Sequence, residues 1–338
     1  MRTGLVALRV SLAVLWGATC ACASGGDDSS PGGDGSVPPP FDGSVDAPRE
    51  GTAPRDGASD GGGGDAAVTL TQACNDNATA YCTQLAMCSP YLMSTEYGDT
   101  ATCESRLGYC LDIVTAKGTG WTADGLEACV KARSKLSCQQ FLYERPAPAA
   151  CTPTGTLKAD ATCLYDTQCA TGYCKLTSAG ACGTCVALGG SGAACTSSND
   201  CEQTLVCSGS GLCTKPVGAG AACSATTPCA LGLDCAGGAC AKPVAVGAAC
   251  GADGGAPCDP AAGAYCSGTT CAALSVVKTS DPCGGATNAV CYGGATCLAG
   301  SCQGPVKDGK ACDGGIACQT PSTCNVGVCG LFGASNCK

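Results

Sequence analysis

Apolar positions recur at helical spacing in one part of the chain, between about residues 68 and 150. There Cys74, Ala78, Tyr81, Leu85 and Cys88 stand at i, i+4, i+7, i+11 and i+14, on one face of a helix. Cys103, Leu107, Cys110 and Val114 repeat the pattern behind Asp99 or Thr100, which predicts a second, capped helix. A third is predicted to start at Thr122, because Trp121 and Leu126 occupy the two positions of a hydrophobic staple. Ser137 and Gln140 form a capping box that opens a short fourth helix, ending before Pro146. Eight cysteines, Cys74, Cys82, Cys88, Cys103, Cys110, Cys129, Cys138 and Cys151, accompany these helices, enough for four bridges.

From Cys163 onward helical periodicity gives way to cysteine spacing. Cys195, Cys201, Cys207 and Cys213 are separated by five, five and five residues. Cys223, Cys229, Cys235 and Cys240 have gaps of five, five and four, as do Cys312, Cys318, Cys324 and Cys329. Cys250, Cys258, Cys266 and Cys271 carry a longer first gap, and so do Cys283, Cys291, Cys297 and Cys302. Repetition at roughly 27 to 33 residues marks an array of small units. A nine-residue spacer also recurs, with Lys215-Pro216-Val217 and Lys242-Pro243-Val244 after the preceding cysteine and Pro305-Val306 in a looser copy. Proline fixes the exit from one unit and the following glycine lets the backbone turn into the next.

Between Cys163 and the C-terminus there is no tryptophan and a single phenylalanine, Phe332. A unit of about 30 residues so poor in aromatics cannot offset its chain entropy by burial. Cross-links must do so, each worth about 3 kcal/mol for a loop near 15 residues. Four evenly spaced cysteines close with least strain as first-to-third and second-to-fourth, although four cysteines allow three connectivities. Five modules use 20 cysteines and leave Cys163, Cys169, Cys174, Cys182, Cys185 and Cys337. The crossed pattern then predicts Cys163–Cys174 and Cys169–Cys182, which strands Cys185 and Cys337. Either those two stay free and the modules are beads on short hinges, or Cys185 bridges forward and neighbouring modules exchange bridges into a stiffer rod. The glycines of the spacers favour beads.

Thirty-six cysteines and no histidine in 338 residues exclude histidine-based zinc sites, Ser-His or Cys-His relays and c-type haem attachment. The N-terminus decides between thiolate metal ligation and disulfides. Arg2 and Arg9 flank a short apolar run, Val10 to Trp16, with small residues after it, which is a secretory leader over residues 1–23. Residues 24–66 are a Gly, Asp, Pro and Ser tether that lacks the apolar residues to fold. Nine acids and two arginines between Ser24 and Asp65 give it −7 of the chain's formal −9. An acidic tether excludes nucleic acid as a partner and disfavours anionic lipid surfaces. In an oxidising compartment the cysteines bridge, and neither metal nor cofactor is expected. The expected organisation is a leader (1–23), a tether (24–66), a disulfide-bridged helical domain (67–152) and a cysteine-rich array (153–338). The fold class is therefore small and disulfide-rich, a helical domain followed by a linear array of short modules with little regular secondary structure.

Three resemblances add to this. Gly17-Ala18-Thr19-Cys20-Ala21-Cys22-Ala23 resembles a bacterial lipoprotein leader, which implies a lipid on Cys22 or Cys20 and attachment at the outer membrane or cell surface. Ordinary cleavage after Ala23, with free secretion, is the other outcome. The helical segment ahead of the repeats is similar to that of predicted myxobacterial cysteine-rich lipoproteins, which carries no activity with it. The run from Cys163 through Gly172-Tyr173-Cys174 and Cys182-Gly183-Thr184-Cys185 to Cys213, about 51 of 338 residues, resembles the N-terminal cysteine-rich domain of Dickkopf proteins. That resemblance implies an exported, disulfide-built binding module.

Weighed as chemistry, little else stands out. Cys182 to Cys185 match C-x-x-C, but glycine-rich flanks offer no helix N-terminus to activate a thiol. Asp200, Asp234 and Asp259 lack calcium-loop spacing and are expected to cap turns. Asn77-Ala78-Thr79 is a glycosylation sequon placed inside a predicted helix. Lys215 and Lys242 precede proline, a poor arrangement for mimicking a protease cleavage site. The expectation is a non-catalytic surface or secreted binding or structural protein, with an unknown extracellular protein or polysaccharide as partner. A secreted enzyme and a protease-inhibitor-like array are the alternatives.

Overall fold

A computed structural model describes residues 67–143, 147–177, 181–251, 255–285, 287–312, 315–325 and 327–337. The leader, the tether, Cys20 and Cys22 lie outside the described residues.

The helical part is built around α1 (Leu70–Cys88), whose N-cap Thr69 accepts a hydrogen bond from the amide of Gln72. Its predicted face is buried: Cys74, Ala78, Tyr81 and Leu85 are at most 2% exposed. Helix α2 (Pro90–Glu96) follows at once, with Ser89 as N-cap and Pro90 in the first turn, where a missing amide proton costs nothing. The second predicted helix divides into α3 (Thr100–Leu107), capped by Asp99, and α4 (Cys110–Thr115). Its apolar spacing runs unbroken across the division at Gly108, so periodicity does not reveal the break. Helix α5 (Ala123–Arg133) has Thr122 as N-cap, and Trp121 packs in the cluster that buries Leu126. Helix α6 (Cys138–Tyr143) opens with the capping box: Gln140 donates its amide to Ser137 Oγ, and the Ser137 amide donates to Gln140 Oε1.

Four bridges tie these helices together: Cys74–Cys110, Cys82–Cys103, Cys88–Cys138 and Cys129–Cys151. Three of them start on α1, which also contributes Tyr81 and Leu85 to the main core with Leu92, Leu107 and Phe141. Arg133 is buried here beside Tyr81, and its guanidinium donates to Asn77 Oδ1 at 2.6 Å. The sequon asparagine is thus 3% exposed and engaged inside α1.

The array contains six equivalent modules rather than five: residues 157–185, 189–213, 217–240, 244–271, 277–302 and 306–329. In each, the residue that opens the module makes a parallel β-bridge to the second cysteine. These pairs are Leu157 with Cys169, Gly189 with Cys201, Val217 with Cys229, Val244 with Cys258, Val277 with Cys291 and Val306 with Cys318. The recurrent Pro-Val spacer is therefore the first strand of the module that follows it. Three residues before each first cysteine the chain turns through a left-handed conformation, at Asp160, Gly192, Gly220, Gly247, Ser280 and Gly309. The amide at that position donates to the carbonyl of the module's fourth cysteine at 2.7–2.9 Å. Glycine fills four of the six places because it alone takes this conformation without strain.

A short hairpin completes each module and sets its third cysteine opposite its fourth, as Cys235 faces Cys240 and Cys297 faces Cys302. The third cysteine then bonds the first, and the fourth bonds the second. This crossed pairing is present as Cys195–Cys207 with Cys201–Cys213, and as Cys223–Cys235 with Cys229–Cys240. It continues as Cys250–Cys266 with Cys258–Cys271, Cys283–Cys297 with Cys291–Cys302, and Cys312–Cys324 with Cys318–Cys329. Stacked bridges are most of each module's core; among the described residues the cluster around Cys250 adds Ala264 and a partly buried Val244.

The first group departs from expectation. Cys163 pairs with Cys174 as foreseen, but Cys169 pairs with Cys185, not Cys182. Cys185 is the fourth cysteine of module 1, so this module obeys the same rule as the others. Cys182 sits in the loop before it and bonds Cys337, 155 residues away. Neither Cys185 nor Cys337 is free, and every cysteine from Cys74 to Cys337 lies in one of 17 intramolecular bridges. Bridges do not pass between neighbouring modules. The array expected in single file is instead closed covalently into a loop.

Five of the modules also dock on the helices. Module 3 brings Gly232 against Gln139 and Tyr143 of α6. In module 4 the Ala261 carbonyl accepts from Ser89 Oγ, and Asp259 Oδ1 accepts from the Tyr143 hydroxyl at 3.2 Å. Module 5 donates the amides of Gly293 and Gly294 to the carbonyls of Ser94 and Thr95 in α2. Module 6 meets Arg106 of α3. Module 1 meets the segment after α4, where the Gly120 amide donates to the Thr167 carbonyl and Thr156 donates to Gly118.

Module 4 offers a clean test of docking. Gly263 has φ 64°, and a Cβ there would meet the Tyr91 ring at 2.3 Å. Gly268 has φ 66° with nothing within 4 Å. Gly263→Ala is expected to lose about 1–3 kcal/mol more than Gly268→Ala, because both suffer strain but only the first drives the ring away. Thermal melts of the two variants check this, and equal losses would mean that the Tyr91 contact contributes nothing.

Candidate functional site

The side chains that converge from distant parts of the chain do so where modules meet helices. Arg106 of α3 is the densest such point. Its Nη1 donates to Asp308 Oδ2 at 2.7 Å and its Nη2 to Asp308 Oδ1 at 3.2 Å. Nε donates to the Thr320 carbonyl, and Nη2 also reaches the Gln319 carbonyl and Ser322 Oγ. The planar guanidinium suits this fork of acceptors in a way an ammonium does not. Hydrogen bonding from Arg106 holds the Asp308 carboxyl below its ordinary range.

Asp112, in the first turn of α4, is the second point. Its Oδ2 accepts the Tyr165 hydroxyl of module 1 and the amide of Ala334 in the C-terminal tail, the latter at 3.0 Å. One carboxylate thus holds both sides of the seam that Cys182–Cys337 closes. Neither Arg106 nor Asp112 stands out in the sequence, because their partners lie 202 and 222 residues away along the chain.

The acids singled out from the sequence are mostly turn caps. Asp200 closes a capping box with Ser197, and Asp259 caps a short turn by accepting from the Ala261 amide. Partial burial opposes ionisation of Asp200, but hydrogen bonds from the Tyr173 hydroxyl, Thr196 and the Ser197 amide outweigh it and bring its pKa down to about 2. A depressed carboxylate contributes stability above its unfolded value near ~4, lost as pH falls through the folded value. Asp234 goes the other way: it is exposed at the start of a hairpin strand, yet desolvation by the surrounding chain raises its pKa.

Tyrosines carry the largest electrostatic effects. Burial is the main cause that pushes Tyr81, Tyr97, Tyr109, Tyr143 and Tyr165 far above the ordinary phenol range, with Asp259 and Asp112 adding to it for the last two. A native-state spectrophotometric titration to about pH 11 should leave these five un-ionised, with denaturant restoring titration near ~10. Ionisation of all nine tyrosines in the folded protein would contradict the packing. A raised folded pKa leaves stability intact below about pH 10 and removes it as pH rises past that value.

Three-sulfur groups such as Cys163, Cys169 and Cys185 lie within 4.8 Å of one another, the spacing a metal needs. Each of those sulfurs is already bonded to another sulfur, and a disulfide does not supply the thiolates that zinc takes. The C-x-x-C cysteines go to different partners, Cys182 to Cys337 and Cys185 to Cys169, so they are not a redox pair. Among the described residues no helix is long and apolar enough to cross a membrane. Comparison with family models, curated proteins and solved structures finds no match for the chain.

Proposed function

We propose that the chain is an exported, non-catalytic binding or structural protein that presents a closed set of disulfide modules to an extracellular protein or polysaccharide. The observation that carries this reading is the complete oxidation of Cys74 through Cys337 into bridges, which belongs to an oxidising compartment. In this reading the acidic tether holds the folded part away from a membrane to which Cys22, or Cys20, is attached by lipid. Cleavage after Ala23 would release the same molecule. The Dickkopf-like run from Cys163 to Cys213 comprises modules 1 and 2 and supports binding as the role.

Immobilised folded protein, presented to extracellular extracts of its own source cells, should retain a specific protein or polysaccharide that reduced and alkylated protein does not. Turnover of an extracellular substrate, lost on substituting a particular carboxylate, would overturn the non-catalytic reading. Metabolic labelling with a clickable fatty acid decides the anchor: label on Cys22 or Cys20 places the protein at the membrane, whereas an unmodified N-terminal Ser24 means free secretion.

A further inference from the structure

We propose that Cys182–Cys337 is a redox-sensitive seam, which an external thiol opens before any of the other bridges, releasing the C-terminal tail from module 1. Exposure does not single this bridge out. Both its cysteines are half-buried, and the third cysteines of several modules, such as Cys235, Cys266 and Cys324, are more exposed. What differs is how the two sulfurs are held once their bond is broken.

Inside a module the paired cysteines are 11 to 16 residues apart in sequence. A cleaved pair there stays in a hydrogen-bonded hairpin that a second, crossed bridge still pins. Its thiols remain close, and the bond re-forms readily. Cys182 and Cys337 are 155 residues apart and share neither a strand pair nor a second bridge. The tail carrying Cys337 is a single short turn, Ala334–Asn336, with Ser335 and Asn336 exposed. Its described polar anchor to the helical part is the Ala334 amide on Asp112. The effective concentration of the two thiols is therefore lowest at the seam, which places its reduction potential highest.

The exchange is ordinary. A thiolate of a small dithiol attacks the sulfur of Cys337 or Cys182, forming a mixed disulfide, and the other protein sulfur leaves as a thiolate that takes a proton from water. The second thiol of the reagent then displaces the remaining protein sulfur. Two protein thiols and one cyclic, oxidised dithiol result. Asp112 acts as the positioning residue, because one oxygen of its carboxylate, Oδ2, accepts from both Tyr165 of module 1 and Ala334 of the tail. After opening, module 6 stays on α3 through Arg106, and the tail swings free of module 1.

The test is a titration of the purified, oxidised full-length protein with dithiothreitol, quenched by alkylation and mapped by mass spectrometry. Cys182 and Cys337 should become alkylated at a concentration about tenfold below that needed for any other pair. Asp112→Ala should move that one midpoint about tenfold lower and leave the module pairs in place. Reduction of Cys223–Cys235, Cys312–Cys324 or another module bridge at the same or a lower concentration would overturn the proposal. Should Asp112→Ala fail to fold, the Cys182→Ser, Cys337→Ser double variant takes its place. It is expected to keep the remaining bridges intact and to lose hydrogen-exchange protection at the Ala334 amide, which bonds Asp112 in the oxidised protein; scrambling of those bridges, or retained protection at Ala334, would show that the seam is a structural requirement and not a switch.

Discussion

Replacing Cys258 and Cys271 together by serine is expected to melt module 4 while the helical part stays folded. The bridge spans 13 residues of chain, and its loss removes about 3 kcal/mol of cross-link stabilisation. What remains of the core is the bridge Cys250–Cys266, Ala264 and a partly buried Val244. Burying one alanine and part of one valine is worth about 1–3 kcal/mol, far below the backbone entropy of ordering the module. Hydrogen exchange reads the result directly. The amides of Val244, Asp259 and Cys271, which bond Pro257, Val244 and Ala248 in the native module, should lose protection, and those within α1 should keep it. Retained protection at these three would mean that docking through Ser89 and Tyr143 orders the module, and not the cross-links.

The helical part obeys a different rule, and Leu85→Ala should show it. Leu85 is fully buried and packs with Tyr81, Leu92, Leu107 and Phe141. Truncation at such a site costs about 2–5 kcal/mol, more where the surroundings cannot collapse into the cavity. Here α1 is pinned on either side of Leu85 by Cys82–Cys103 and Cys88–Cys138, so relaxation is restricted and the upper part of that range is expected. Urea unfolding followed by helical circular dichroism measures the loss. A change below about 1 kcal/mol would mean that bridges alone, without apolar packing, sustain the helices.

These two behaviours were legible in the sequence because both rest on local spacing. The face of α1, the caps at Thr122 and Ser137, and the crossed pairing within modules follow from residues a few positions apart. Helix α2 has no apolar periodicity to announce it, though Ser89-Pro90 is a cap followed by the residue best suited to a first helical turn. The role of Cys185 was also available: nine residues separate it from Cys195, the same spacer that follows Cys213 and Cys240. That spacer marks Cys185 as a fourth cysteine and leaves Cys182 as the extra one. Closure of the array was not available. It depends on Arg106, Asp112 and Cys337, polar or terminal residues with no periodic pattern, whose partners are brought near by the fold and not by the chain.

Peptide mapping of the unreduced protein tests the closed, modular loop most directly. Proteolysis under conditions that prevent exchange, followed by mass spectrometry, should find Cys182 linked to Cys337, Cys169 linked to Cys185, and each module's remaining bridges internal to it. A free Cys337, a Cys169–Cys182 peptide, or bridges joining one module's cysteines to the next would contradict it.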